Sequence, residues 1–270
     1  MPESATELTR LTFMNRRTDP VPPTLMPALR SHLWFASCPE ALQEGLLERG
    51  RLWSLKAGET LFARGGGDQS GLCCVVAGAL KVGSINPRDG THRLSLYLEP
   101  YQWVGEIALI DRKPRSQDAV ADTDATVLVI PQSVLEPWLD AHPQYWRDIA
   151  RLACGKLRLM LMAAEDNASM PIGQQLARRL VFAATSYGHA VQPTLRKRLR
   201  LPQEYLARML GVSRQTINKA LKSLAADRII AVHYAEIEIL DAKALATQAG
   251  QFDAALWNGL EDDGLKPPGA

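Results

Sequence analysis

Residues 202–224 read PQEYLARMLGVSRQTINKALKSL. Pro202 suits the first position of a helix, where a missing N–H costs nothing. Ala207 is small where two helices must cross closely. Gly211 falls four residues later, where the chain leaves the first helix and a left-handed residue is needed. Ser213 is a good N-cap for a second helix. Val212, Ile217, Leu221 and Leu224 supply the buried side. Together these positions predict a helix-turn-helix. In that motif the start of the second helix faces the DNA major groove. The candidate contacts are Ser213, Arg214, Gln215, Thr216, Asn218 and Lys219; of these, Arg214, Gln215, Asn218 and Lys219 share one face. An Arg can bond guanine bidentately, and a Gln suits the edge of adenine.

Charge supports the same reading. The 270-residue chain carries a formal net charge of only +2. Residues 171–250 nonetheless hold twelve Lys/Arg against five Asp/Glu, while both flanks are mildly acidic. Such a basic module can replace the counterions condensed on phosphate. Outward from the motif, RKRLR at 196–200 adds basic side chains, and IIAVHY with EIEIL at 229–240 predicts a short β wing.

Toward the N-terminus the periodicity changes. From about 50 to 130 the pattern is of short strands. LCCVVA (72–77) is a continuous apolar run closed by Gly78, and ALKVGSI follows, with a turn NPRDG at 86–90. THRLSLYL (91–98) alternates, and ATVLVI (125–130) stops at Pro131. Short strands between Gly-rich turns predict a small antiparallel roll. Between His142 and Asn167 apolar residues return at helical spacing. Trp146, Ala150, Ala153, Leu157, Met160 and Ala164 form a heptad-like seam for a partner helix. Leu152, Leu159 and Leu161 lie off it and are expected to pack on the roll.

The fold class expected is therefore α+β. It comprises a flexible arm (1–30), a β-roll (31–140), a long dimerisation helix (141–170), a winged helix-turn-helix (171–245) and a C-terminal tail (246–270). No apolar run is long enough to span a bilayer. The start MPESATELTRLTFMNRR lacks the apolar core of an export signal, so a cytoplasmic protein is expected. Four cysteines, two of them adjacent, do not form a disulfide framework. No nucleophile–base pair, metal-ligand spacing or Walker-type loop argues for an enzyme.

The order of roll, long helix and winged helix-turn-helix resembles the bacterial CRP/FNR family over roughly residues 30–245. Two motifs carry the likeness: LPQEYLARMLGVSRQTINKALKSL, and VGEIALIDRKPRSQDAVADTDA at 104–125, which looks like the family's phosphate-binding cassette. The resemblance implies a homodimeric transcription factor on a palindromic operator in double-stranded DNA, meeting RNA polymerase if it activates. It implies an effector site at Gly105, Glu106, Arg115 and Ser116, with cyclic AMP or another small anion as effector. The Glu would accept from a ribose hydroxyl, and Arg-Ser would bind the cyclic phosphate. The sequence departs from that pattern at Gln117 and Asp118, where a small residue is usual after Arg-Ser. It departs again at Met160 and Leu161, where nucleobase-recognising members carry hydroxyls. Three readings of the roll stay open: a cyclic nucleotide in an altered pose, a different effector, or a pocket kept only for packing. A sensing module acting through protein partners is the alternative class. An iron–sulfur cluster is not expected, because Cys38 alone lies near the N-terminus. Haem is not expected either, since Cys73, Cys74 and His92 sit in strand-like segments.

Overall fold

A computed structural model describes residues 18–66, 71–85, 92–185, 196–234 and 236–250. The turn at 86–90, His189, the segment before Thr18 and the tail from 251 lie outside the described residues. The chain divides into two compact units. One holds the residues up to Arg30 and Trp34–Cys154; the other holds Gly155 onward together with Ser31–Leu33.

The first unit is the roll. Its chain order is β1 (Thr18–Pro20), α1 (Met26–Leu29), α2 (Leu33–Ala36, beginning in the other unit), α3 (Glu40–Arg49), β2 (Arg51–Leu55) and β3 (Thr60–Phe62). Then come β4 (Leu72–Ala77), β5 (Leu80–Ile85), β6 (His92–Leu98), β7 (Trp103–Val104), α4 (Glu106–Asp111), β8 (Asp118–Ala121), β9 (Ala125–Ile130) and α5 (Gln132–Ala141). The strands form a five-stranded sheet in the order β1-β2-β9-β4-β7 and a four-stranded sheet in the order β3-β8-β5-β6.

The continuous apolar runs are explained by burial on both faces of the five-stranded sheet. Along β4 and β9, Cys73, Val75, Val127 and Val129 point toward the second sheet, into a core with Leu61, Phe62, Leu80 and Val82. Leu72, Cys74, Leu128 and Ile130 point the other way, onto Phe35, Leu42, Leu46, Leu135 and Leu139 of the helices. A pleat alternates its side chains, so a strand covered on both faces must be apolar at every position. The buried thiols are chemically quiet. Desolvation first, then the Asp148 carboxylate, pushes Cys38 up to about 12, and burial raises Cys74 well above its ordinary range.

Residues 18–30, expected as part of an arm over 1–30, are built into the roll. Thr18–Pro20 pairs antiparallel with Arg51–Trp53 of β2. Pro20 is tolerated because β1 is an edge strand. Leu25 and Leu29 are buried in the helical core. The prolines that suggested a loose segment instead stand at an edge and in the first turns of short helices, the positions that need no N–H.

The long helix α6 runs Trp146–Ser169, and the division between units falls within it. In its first turns Ile149 and Leu152 are fully buried in the helical core, and the Trp34 indole donates to the Asp148 carbonyl at 2.6 Å. Leu161, expected to pack on the roll, is instead 56% exposed, with Leu157 and Met160 similarly open. The buried face is set by residues 149 and 152, and Leu161 falls in the other unit.

The second unit continues with α7 (Ile172–Ala184), β10 (Arg198–Leu199), α8 (Gln203–Met209), α9 (Arg214–Ala226), β11 (Ile230–His233), β12 (Glu236–Ile239) and α10 (Ala242–Ala249). Strands in the order β10-β12-β11 form the wing sheet. Residues 246–249, assigned to the tail from sequence, are helical; Leu245, Ala246 and Ala249 are buried. The Leu29→Ala variant is expected to lose about 2–5 kcal/mol in urea unfolding, the range for a fully buried leucine. A loss below about 0.5 kcal/mol, usual for a surface site, would return residues 18–30 to the status of an arm.

Candidate effector pocket and nucleic-acid interface

In the roll, the antiparallel register pairs Cys73 with Val104 and Cys74 with Trp103. That register brings Gly71, just before β4, against Gly105, just after β7. A Cβ on Gly105 would lie 2.2 Å from the Gly71 carbonyl oxygen and 2.8 Å from Arg115 Nη1. Gly105 also has φ +109 and is the N-cap of α4. No other residue satisfies both conditions without strain.

Arg115 is buried between these glycines, with 5% of its surface exposed. Nη1 donates to the Gly105 carbonyl at 3.1 Å and Nη2 to the Gly71 carbonyl at 2.5 Å. The guanidinium lies 4.4 Å from the centroid of the Phe62 ring, a cation–π stack. Its own carbonyl accepts from Gly65 N–H. Glu106, the first residue of α4, is fully buried. Ser116 is exposed and Gln117 half-buried.

Asp118, a departure from the family pattern, has a definite task. Its Oδ1 accepts from Arg64 N–H at 2.9 Å and its Oδ2 from Ile85 N–H at 3.0 Å. The carboxylate staples β8 to its neighbours, and two backbone dipoles balance its charge. Met160 and Leu161 are exposed side chains of the second unit. Sequence reasoning missed Phe62 and Gly71. Nothing in the spacing marks either one, because each acts through a contact made only in three dimensions.

In the second unit, Ser213 caps α9: its hydroxyl accepts from Thr216 N–H at 3.1 Å and pairs with the Thr216 hydroxyl at 2.8 Å. Gly211 is left-handed at φ +65. Pro202 is the N-cap of α8 rather than its first helical residue. Ile217, Ala220, Leu221 and Leu224 form the buried side of α9. Arg214, Gln215 and Lys219 are exposed, and Thr216 and Asn218 half-buried. All five line an open groove beside the start of α7 at Ile172 and Gly173. Lys222 and Ser223 line it too. Lys222 lies eight residues after Arg214, two helical turns along the same face, so its place was readable from the periodicity.

The basic run 196–200 is only partly available. Arg196 donates to the Ala183 carbonyl, and Arg198 faces Glu236 and Glu238 of β12 at 3.6 and 3.7 Å. Lys197 and Arg200 are exposed.

Residues 52–142 match the family model of the cyclic nucleotide-binding domain, and residues 174–247 that of the Crp-like helix-turn-helix domain. The CRP-like cAMP-activated global transcriptional regulator of Mycobacterium tuberculosis is 28% identical over 193 residues, 71% of this chain and 85% of that protein. The chain belongs to the CRP/FNR family of transcriptional regulators. The family's members are regulators and not enzymes. Among solved structures, FixK2 from Bradyrhizobium japonicum superposes with a TM-score of 0.64 at 17% identity, covering 76% of this chain and 99% of FixK2. The c-di-GMP responsive regulator CLP of Xanthomonas campestris gives 0.57 at 19% identity, covering 74% and 99%. At those identities both show a shared CRP/FNR fold.

Gly105→Ala is expected to destabilise the roll by about 2–4 kcal/mol, from left-handed strain plus overpacking. Gly211→Ala has the same kind of φ but nothing within 4 Å of the added Cβ, so about 1–2 kcal/mol is expected. Thermal unfolding of the two variants separates clash from strain; equal losses would mean the Gly71–Gly105 approach is not tight.

Proposed function

We propose that this chain is a homodimeric, sequence-specific DNA-binding regulator whose DNA affinity is set by a small anionic effector in the roll. The observation that carries the DNA reading is the face of α9. Arg214, Gln215 and Lys219 are exposed from a helix whose opposite side is buried and whose start is capped by Ser213. Arg214 and Gln215 read base edges, Asn218 and Lys219 extend the contact, and the Ser213 and Thr216 hydroxyls sit where α9 approaches a phosphate. The dimer reading is supported by Leu157, Met160 and Leu161, a run of large apolar side chains open on α6. A two-fold dimer reads a palindrome with half-sites about one helical turn apart. RNA polymerase would be a partner if the protein activates, and such a regulator works in the cytoplasm.

The effector reading rests on Gly105, Glu106, Arg115 and Ser116, with Arg115 the charge that would meet an anion. Cyclic AMP is the first candidate, because the Mycobacterium tuberculosis relative is named as cAMP-activated. The Xanthomonas campestris neighbour is named as c-di-GMP responsive, so a different nucleotide is the second. One observation favours an effector-independent regulator instead: Arg115 already donates to two backbone carbonyls and is almost wholly buried.

Two measurements test these readings. Arg214→Ala is expected to cost about 1–3 kcal/mol at the selected site and little on random DNA, whereas Lys222→Ala should weaken both and flatten the salt slope by about one unit. Equal losses on both DNAs for Arg214→Ala would remove its base-reading role. Cyclic AMP at about 100 times its Kd should stabilise the protein by roughly 2.7 kcal/mol, a rise of several degrees in Tm, abolished in Arg115→Ala. No shift with cyclic AMP or cyclic GMP would favour the effector-independent reading.

A further inference from the structure

Arg112 closes α4, the helix of the effector cassette, in a left-handed conformation at φ +56. Glycine is the residue that adopts this conformation without cost; an arginine there is strained. Strain of this kind persists where surrounding contacts hold it. Here the contacts are ionic. Arg112 Nε lies 2.6 Å from Glu136 Oε1, and Nη2 lies 3.0 Å from Asp140 Oδ2, one helical turn farther along α5. Each carboxylate is in turn anchored. Gln132 Nε2 donates to Glu136 Oε2 at 3.0 Å. Asp140 Oδ1 accepts at 3.2 Å from the indole N–H of Trp146, the first residue of α6.

The chain Arg112, Asp140, Trp146 thus links the end of the cassette helix to the start of the long helix through two consecutive side-chain contacts within one compact unit. We infer that Arg112 is a positioning residue that couples α4 to the first turn of α6. A shift of α4 drags the Asp140 carboxylate and, through it, the Trp146 indole. A glycine would make the better helix end but could not make the link. The regulatory use of this clasp rests on the effector reading of the roll. Its existence does not, so it is tested in the ligand-free full-length protein.

The experiment compares amide hydrogen exchange in the wild type, Arg112→Gly, Trp146→Phe and the double variant. Arg112→Gly keeps the backbone cap, in which Arg112 N–H donates to the Ala108 carbonyl. It also relieves the strain, so its Tm should be equal to or above the wild type. Exchange at residues 106–111 and also at 143–154 should nonetheless rise about two- to fivefold, the scale of partly exposed ion pairs. Trp146→Phe should raise exchange at 143–154 by a similar factor, and the double variant should add nothing further there. Two outcomes would overturn the coupling: unchanged exchange at 143–154 in Arg112→Gly, or additive effects in the double variant. Either result would leave Arg112 a local cap of α4. Neither depends on whether cyclic AMP binds, so failure of the clasp and failure of the effector reading are distinguishable.

Discussion

The roll depends on one sheet being buried on both faces. Because β4 and β9 are apolar at successive positions, the five-stranded sheet must be covered twice, by the second sheet on one side and by α3, α5 and the first turns of α6 on the other. At the edge of this sheet β7 pairs with β4, Cys73 opposite Val104 and Cys74 opposite Trp103. The register leaves Gly105 so close to the Gly71 carbonyl that only the lack of a side chain on Gly105 lets them meet. Arg115 then bridges their carbonyls. The candidate effector site is thus a consequence of core packing carried out to the edge of the sheet.

Legibility in the sequence followed the range of the interactions involved. The strands of the roll and the frame of the helix-turn-helix were readable because their signals are local: alternation, an uninterrupted apolar run, a cap, a left-handed glycine. Residues 18–30 misled because composition was read in place of position. Pro20 sits on an edge strand and Pro23 in a first turn, where proline is accommodated, while Leu25 and Leu29, unremarkable in spacing, are core. Leu161 misled for the complementary reason. Helical periodicity shows that a face is apolar but not what covers it. Phe62 and Gly71 left no trace, since a ring under a guanidinium and a carbonyl beside it are contacts between segments far apart in sequence.

The same distinction applies to charge. Counting cations over 171–250 located the basic module correctly, but the count treats every arginine alike. Arg198 is turned to Glu236 and Glu238, and Arg196 to a backbone carbonyl. The exposed cations on the groove are Arg214, Lys219 and Lys222, all on α9. A phosphate polyanion meets the cations that are not already engaged, so the electrostatic footprint is narrower than the composition implies.

Arg115 and Arg112 both lie in the cassette, after its helix, and solve opposite problems. Arg115 is buried, where a cation without acceptors would cost several kcal/mol, so the fold supplies two carbonyls and an aromatic face. An anion entering there would have to compete with those partners. Arg112 is exposed, where each ion pair contributes little, so its partners do not explain its presence through stability. Its backbone conformation would favour glycine. What an arginine adds there is reach across α5 to an acceptor shared with the first residue of α6. Arg115, bonded to the carbonyl of the N-cap Gly105, and Arg112 at the C-cap thus hold the two ends of a helix only six residues long.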